Sequence, residues 1–279
     1  MQQRLKGILS PNAAGFVRYG FGAPLSIAAV VVMAVAGVHL PSLTGGFLWR
    51  VALAGIGQIV GTNLLIRAFA LRDFAIGTAY SKTEAIQVAV LSWLLLSEPL
   101  GPMSWVGAGV CLVGVVVLAC RGDVKLIAEV VRPEGDRAMW AGIGAGAGLA
   151  TAAVFIRAAS GSLGDGPAVV RALVTLAAMN SIQTLVNGSW LALRQPTEIA
   201  AIGRNWKSSM LVGVTSVLGS AGWAIGMTLH NAAVVRTVGQ IDVVFAFMVG
   251  RFVFHEERRR SEYWGAVLVV AGVALVLLT

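Results

Sequence analysis

Long apolar runs, each closed by a short polar turn, recur from one end of the 279-residue chain to the other. About 20 apolar residues in helical form cross some 30 Å of hydrocarbon, so each run reads as a transmembrane helix. Nine can be marked, at about 19–39, 47–69, 74–96, 103–120, 138–158, 167–193, 208–230, 232–254 and 261–279. The pattern predicts an all-α polytopic membrane protein. Its longest connection, Arg121 to Arg137, leaves no room for a separate soluble domain.

The runs are not independent. Residues 48–118 superimpose on 206–276 without a gap at an offset of 158. Gly55, Gly61, Glu98, Gly107, Gly114 and Val115 then fall on Gly213, Gly219, Glu256, Gly265, Gly272 and Val273, and Glu84 falls on Asp242. Ten of the 71 pairs are identical, so the duplication lies in pattern more than in identity. Upstream, Arg4 and Arg18 match Arg157 and Arg171 at the same spacing of fourteen. The expected organisation is a first repeat of four helices over 1–120, a connecting loop over 121–137, and a second repeat of five helices over 138–279. The helix AMWAGIGAGAGLATAAVFIRA that opens the second repeat has no counterpart after Met1, so a first helix is expected to be missing from the first repeat. Internal repeats of apolar segments mark secondary transporters, whose sites form near the bilayer midplane.

Composition agrees with this class. Hydrophobic residues make up 57% of the chain and charged residues 12%, against about 25% charged in soluble domains. The net charge of +8 does not imply a nucleic-acid partner, because Lys and Arg sit singly or in short connections where they set topology. With the N-terminus taken as cytoplasmic, sixteen basic residues face that side and four the other, which places the N-terminus inside and, with nine spans, the C-terminus outside. The first residues are too polar for a cleaved signal peptide. Cys111 and Cys120 lie too far apart along one helix for a disulfide and read as small core residues. Gly142 with Gly146, and other glycine pairs four apart, suit close helix packing, while Trp49, Trp105, Trp140, Trp190, Trp206 and Trp264 near span ends suit an aromatic belt.

Candidate chemistry concentrates in the third run, where Lys82 and Glu84 fall at the centre of expected hydrocarbon. Each charge costs roughly 2.5–3.5 kcal/mol there, so each needs a protein partner or an aqueous cavity. Two residues apart, they do not face each other on a helix. Tyr80, Ser81 and Gln87 share a face with Glu84, and the second half matches with Gln240 and Asp242 beside Arg236. One reading has Glu84 and Asp242 lining a central cavity, with Lys82, Gln87 and Gln240 supplying counter-charge and hydrogen bonds; the other has them as structural interhelical ion pairs. A buried carboxyl with a raised pKa would allow proton coupling. Asn180, Gln183 and Asn187 form a second polar stripe, open to substrate contact or to interhelical hydrogen bonding. His255-Glu256-Glu257 lacks any metal-ligand spacing, and no nucleophile elbow or phosphate loop occurs, so no metal, cofactor or enzymatic activity is expected.

From Ala75 to Leu118 the apolar helix, Ser97-Glu98-Pro99-Leu100 and WVGAGVCLVGVVVL together resemble the signature half of the EamA family of the drug/metabolite transporter superfamily. Glu256 with YWGAVLVVAGVALVLL repeats the pattern, and Arg18 and Arg171 resemble the arginines that open the second helix of each family repeat. The resemblance implies two inverted five-helix repeats, ten helices against the nine read here, and transport or export of small metabolites. It also implies a cytoplasmic C-terminus, against the arginine count. The family's acidic turn, carried onto Glu98 and Glu256, reads as architectural, capping a helix start. The expected function is secondary transport of small metabolites or drugs by alternating access, with export as the direction and the bacterial cytoplasmic membrane as the site. The expected partners are a small-molecule substrate and the lipid bilayer, with a homodimer as a candidate assembly. The alternatives are a flippase for a lipid-linked substrate, and a non-transporting scaffold or subunit that needs a partner.

Overall fold

The computed structural model describes residues 10–71, 74–131, 137–164, 166–257 and 259–278. Arg4, Lys6, Arg72, Arg132 and Arg258, counted above for orientation, lie outside those residues, as does the start of the chain, on which the expectation of a missing first helix falls. Thirteen helices, and no strand, are found among the described residues. Among the described residues eight helical stretches are long and apolar enough to cross a membrane, and the fold is that of a multi-pass membrane protein. The expected ninth, 74–96, is instead divided in two, which lowers the count from nine to eight.

The chain forms two compact units, Met1–Asn63 with Thr151–His230 and Leu64–Ala150 with Asn231–Thr279, so each unit draws on both sequence halves. In the first unit α1 (Pro11–Val35) starts where the Ser10 hydroxyl accepts from the Ala13 N–H and Pro11 needs no hydrogen-bond partner of its own. It packs with α8 (Ala168–Arg194) and α10 (Trp206–Leu229) around Ala13, Val17, Leu191 and Val212, and α9 (Pro196–Arg204) adds Ile202. The remainder of the unit comes from α2 (Gly45–Leu71) and α7 (Arg137–Gly161), within which the boundary between units falls. Trp49 meets Phe155 edge-on at 5.7 Å.

In the second unit the tightest seam joins α5 (Pro102–Ala119) to α13 (Arg260–Leu277). A Cβ on Gly272 would fall 2.5 Å from the Cys111 nitrogen, and one on Gly114 would fall 2.6 Å from the Val269 nitrogen. The glycines that the repeat places at equivalent positions therefore let two backbones touch, the source of contact energy available to helices in lipid. Cys111 and Cys120 are free and buried, as small core residues. Glu98 and Glu256 do not occupy N-caps: those are Gly101 and Arg259, each three residues later. The carboxylate that caps α13 belongs to Glu262, which accepts from the Arg259 N–H at 2.9 Å. Glu98 and Glu256 instead follow left-handed residues, Ser97 (φ 53°) and His255 (φ 54°), and their N–H groups return to the Ser92 and Gly250 carbonyls. α6 (Val124–Val131), a short helix inside the connecting loop, was not read from the sequence.

Candidate functional site

The divided helix is the feature from which the site is built. α3 (Phe74–Ser81) stops at Lys82-Thr83 and α4 (Glu84–Leu96) continues; 158 residues on, α11 (Ala232–Gly239) stops at Gln240 and α12 (Ile241–Phe252) continues. Both interruptions tighten the turn. The Thr83 N–H reaches the Tyr80 carbonyl and the Gln240 N–H the Thr237 carbonyl, three residues back instead of four. Thr83 reinforces its break with a hydroxyl that donates to the Tyr80 carbonyl at 2.6 Å. A close approach holds the first break in place: a Cβ at Gly146 on α7 would lie 3.2 Å from both the Glu84 nitrogen and the Ser81 carbonyl oxygen.

Each break presents a helix C-terminus and a new N-terminus, and the charges follow the dipoles. Lys82 directly follows α3 and Arg236 sits in the last turn of α11, while Glu84 and Asp242 open α4 and α12. The pairs cross between sequence halves. Lys82 Nζ lies 3.0 and 3.1 Å from the two Asp242 carboxylate oxygens, and Arg236 Nε lies 2.9 Å from Glu84 Oε1. Burial separates them. The Glu84 and Arg236 side chains are 8% and 15% exposed, whereas those of Lys82 and Asp242 are 20% and 60% exposed. The deep pair cannot rearrange without desolvated charge being stranded, but the outer pair can exchange partners at modest cost.

Lys82 and Asp242 line a cavity of about 320 Å³ inside the second unit, with Phe74 and Thr78 of α3, Leu118 and Ala119 at the end of α5, Arg121 just beyond it, and Val243, Ala246 and Phe247 of α12. Gln240 is buried at the second break, and its side-chain oxygen has no partner among the described residues. Gln87 on α4 donates to the Thr83 hydroxyl at 3.0 Å and to the Ile143 carbonyl at 3.3 Å, and its own side-chain oxygen is likewise without a partner.

Six of the eight residues proposed from the sequence thus belong to the second unit, though not all face the cavity. Lys82, Glu84, Gln87, Gln240 and Asp242 cluster at or beside the breaks. Tyr80 turns to α6, where its hydroxyl donates to the Glu129 and Val130 carbonyls at 3.4 and 3.3 Å. Asn180 and Gln183 belong to the first unit. Asn180 donates to the Ser26 hydroxyl at 3.3 Å, and Gln183 donates to the Gly55 carbonyl at 3.2 Å and to Gln58 at 2.8 Å. Two residues escaped the sequence proposal. Arg236 stands near Asp242 in the sequence, yet an arginine inside an apolar run needs an acid, and Glu84 of the other repeat is the matching charge. Arg121 enters the sequence reading only through the topology count, and the structure puts it on the cavity wall.

Comparison with known proteins completes the description. The EamA-like transporter family matches residues 1–120. No curated protein matches the chain in sequence. Among solved structures, one titled "Crystal structure of protein" is similar with a TM-score of 0.73 and 17% identity, over 99% of this chain and 90% of that one, a likeness of fold. This pattern points to a transporter in preference to an enzyme. Residues 1–120, less than half of the chain, are thus similar to the EamA-like transporter family, and through it to the drug/metabolite transporter superfamily.

Proposed function

We propose that the protein is a secondary transporter that exports small metabolites or drugs across the bacterial cytoplasmic membrane. The observation that carries this reading is the matched pair of helix breaks with crossed ion pairs, one of them on a cavity. Discontinuous helices at corresponding positions of two repeats are where secondary transporters bind substrate. In this reading the two sequence repeats are inverted relative to each other, and 74–96 crosses the bilayer as a broken ninth span. The half-helices pivot at Lys82-Thr83 and at Gln240, opening the site first to one face and then to the other. Lys82 and Asp242 exchange partners with substrate, Glu84 with Arg236 holds the breaks together, and Gln87 and Gln240 offer acceptors. Protonation of a carboxylate in this cluster couples movement to the proton gradient.

The test is efflux from proteoliposomes loaded with a defined mixture of metabolites, read by mass spectrometry. Loss of particular solutes from vesicles with protein, abolished by Asp242→Asn and slowed when the proton gradient is collapsed, is the expected result. Equal loss from protein-free vesicles, or from Asp242→Asn vesicles with the same amount of folded protein, would contradict it.

A further inference from the structure

We propose that the cavity beside the helix breaks takes a small amphipathic monoanion, whose acid group displaces Asp242 from Lys82. The inference rests on the transporter reading of the same site and narrows its substrate class. The charged groups on the cavity wall are Lys82, Arg121 and Asp242, so the wall carries one positive charge in excess. Among the described residues Arg121 has no carboxylate partner. Lys82 is 20% exposed against a partly apolar wall, so an anion is attracted there more strongly than in bulk water, while solvent reaches the exposed Arg121 and Asp242.

The neutral polar group on the wall does not change the sign. The Thr78 hydroxyl already donates to the Phe74 carbonyl at 2.7 Å, which leaves Lys82 and Arg121 as the donors for a ligand. Phe74, Leu118, Val243, Ala246 and Phe247 make the remaining wall apolar. At about 30 Å³ for each water-sized group, 320 Å³ holds roughly ten non-hydrogen atoms, the size of an aryl or branched-chain acid. Asp242 shows how such a ligand is held, since both of its oxygens lie within 3.1 Å of the Lys82 ammonium. It is also the more exposed partner, and so the one able to swing away. Asp242 then competes the ligand off again, which makes it a release device as well as a stand-in.

Equilibrium binding to the purified full-length protein in detergent tests this with matched probes: 3-phenylpropionate, 3-phenylpropylamine, 3-phenylpropionamide and phenylalanine. The anion should bind about tenfold more tightly than the amide, with no measurable binding of the amine. Lys82→Gln should weaken the anion about tenfold, and Lys82→Arg should restore most of that loss. Asp242→Asn should tighten the anion severalfold while stopping transport, because the internal competitor is gone. Asp242→Asn keeps the test decisive if Lys82→Gln fails to fold. Tighter binding of phenylalanine than of 3-phenylpropionate, weaker anion binding in Asp242→Asn, or no binding of the anion would each overturn the proposal. Efflux of other solutes without anion binding would sink this inference and leave the transporter reading standing; anion binding without efflux of any solute would do the reverse.

Discussion

The two units use polar residues in opposite ways. In the first, Asn180 and Gln183 sit on the unbroken helix α8 and their amide N–H groups donate to Ser26, Gly55 and Gln58 on neighbouring helices, with the Gln183 side-chain oxygen left without a partner among the described residues. In the second, polar residues gather where helices are interrupted, they carry charge, and two of them reach a cavity. A continuous helix satisfies its own backbone, so its side-chain amides are free to join helices. An interrupted one exposes dipole ends that require counter-charge, and those charges are able to meet a ligand. The first pattern builds the bundle and the second gives it chemistry.

The contrast breaks most severely at the buried pair. Arg236→Ala strands the Glu84 carboxylate and should cost about 3–5 kcal/mol, seen as a large drop in thermal midpoint in detergent. The double change Glu84→Gln with Arg236→Met should recover most of that stability while transport stays lost. Recovery of transport in the double variant would mean that the pair is structural packing alone.

The glycine seam of the same unit sharpens the contrast, because it is packing without polar chemistry. Gly272→Ala drives a Cβ against the Cys111 backbone and should destabilise by about 1–3 kcal/mol. Protein that does fold should keep its ligand affinity, measured by titration with 3-phenylpropionate. A change in affinity larger than the change in stability would tie the seam to the site.

In the first unit, Gln183→Leu removes two interhelical hydrogen bonds and should cost about 1 kcal/mol, the usual worth of such bonds in bundles. Substrate affinity should not move. A loss of affinity with unchanged thermal stability would bring Gln183 into the binding site and erase the distinction between units.

Much of the fold is legible in the sequence, because hydropathy reports directly on burial in lipid. The offset of 158 aligns the glycines that form the seam between α5 and α13 and the turn residues Ser97 and His255, although it carries no record that the two helices pack together. The helix break at Lys82-Thr83 is not legible, since neither residue forbids a helix and the apolar run continues through it. Charge at a helix centre was the available sign. The pairing of Glu84 with Arg236 depends on which helices become neighbours, and local spacing carries no record of that. Tyr80 shows the cost of assuming one continuous helix: with the break, it faces α6 instead of the polar stripe.

The smallest effect lies outside the membrane spans. Asp123 follows α5, accepts from the Lys125 N–H at 2.9 Å, and is bridged by Arg259 at 3.1 Å. The backbone N–H of Lys125 first, and then the Arg259 guanidinium, hold its carboxyl below the ordinary value of 3.8. The sign follows from linkage: a lowered folded pKa adds stability that is complete above the ordinary value and is lost as pH falls through the lowered one. Thermal stability should decline slightly below about pH 4, and Asp123→Asn should remove that part of the decline. An identical acid profile in the variant would show that this surface contact contributes nothing.

The most direct measurement compares efflux from proteoliposomes that carry Asp242→Asn with efflux from those that carry Gln183→Leu, at matched amounts of folded protein. Charge at the helix breaks as the transport machinery predicts collapse of efflux in Asp242→Asn and near-normal efflux in Gln183→Leu. Comparable rates in the two variants, or the reverse order, would contradict it.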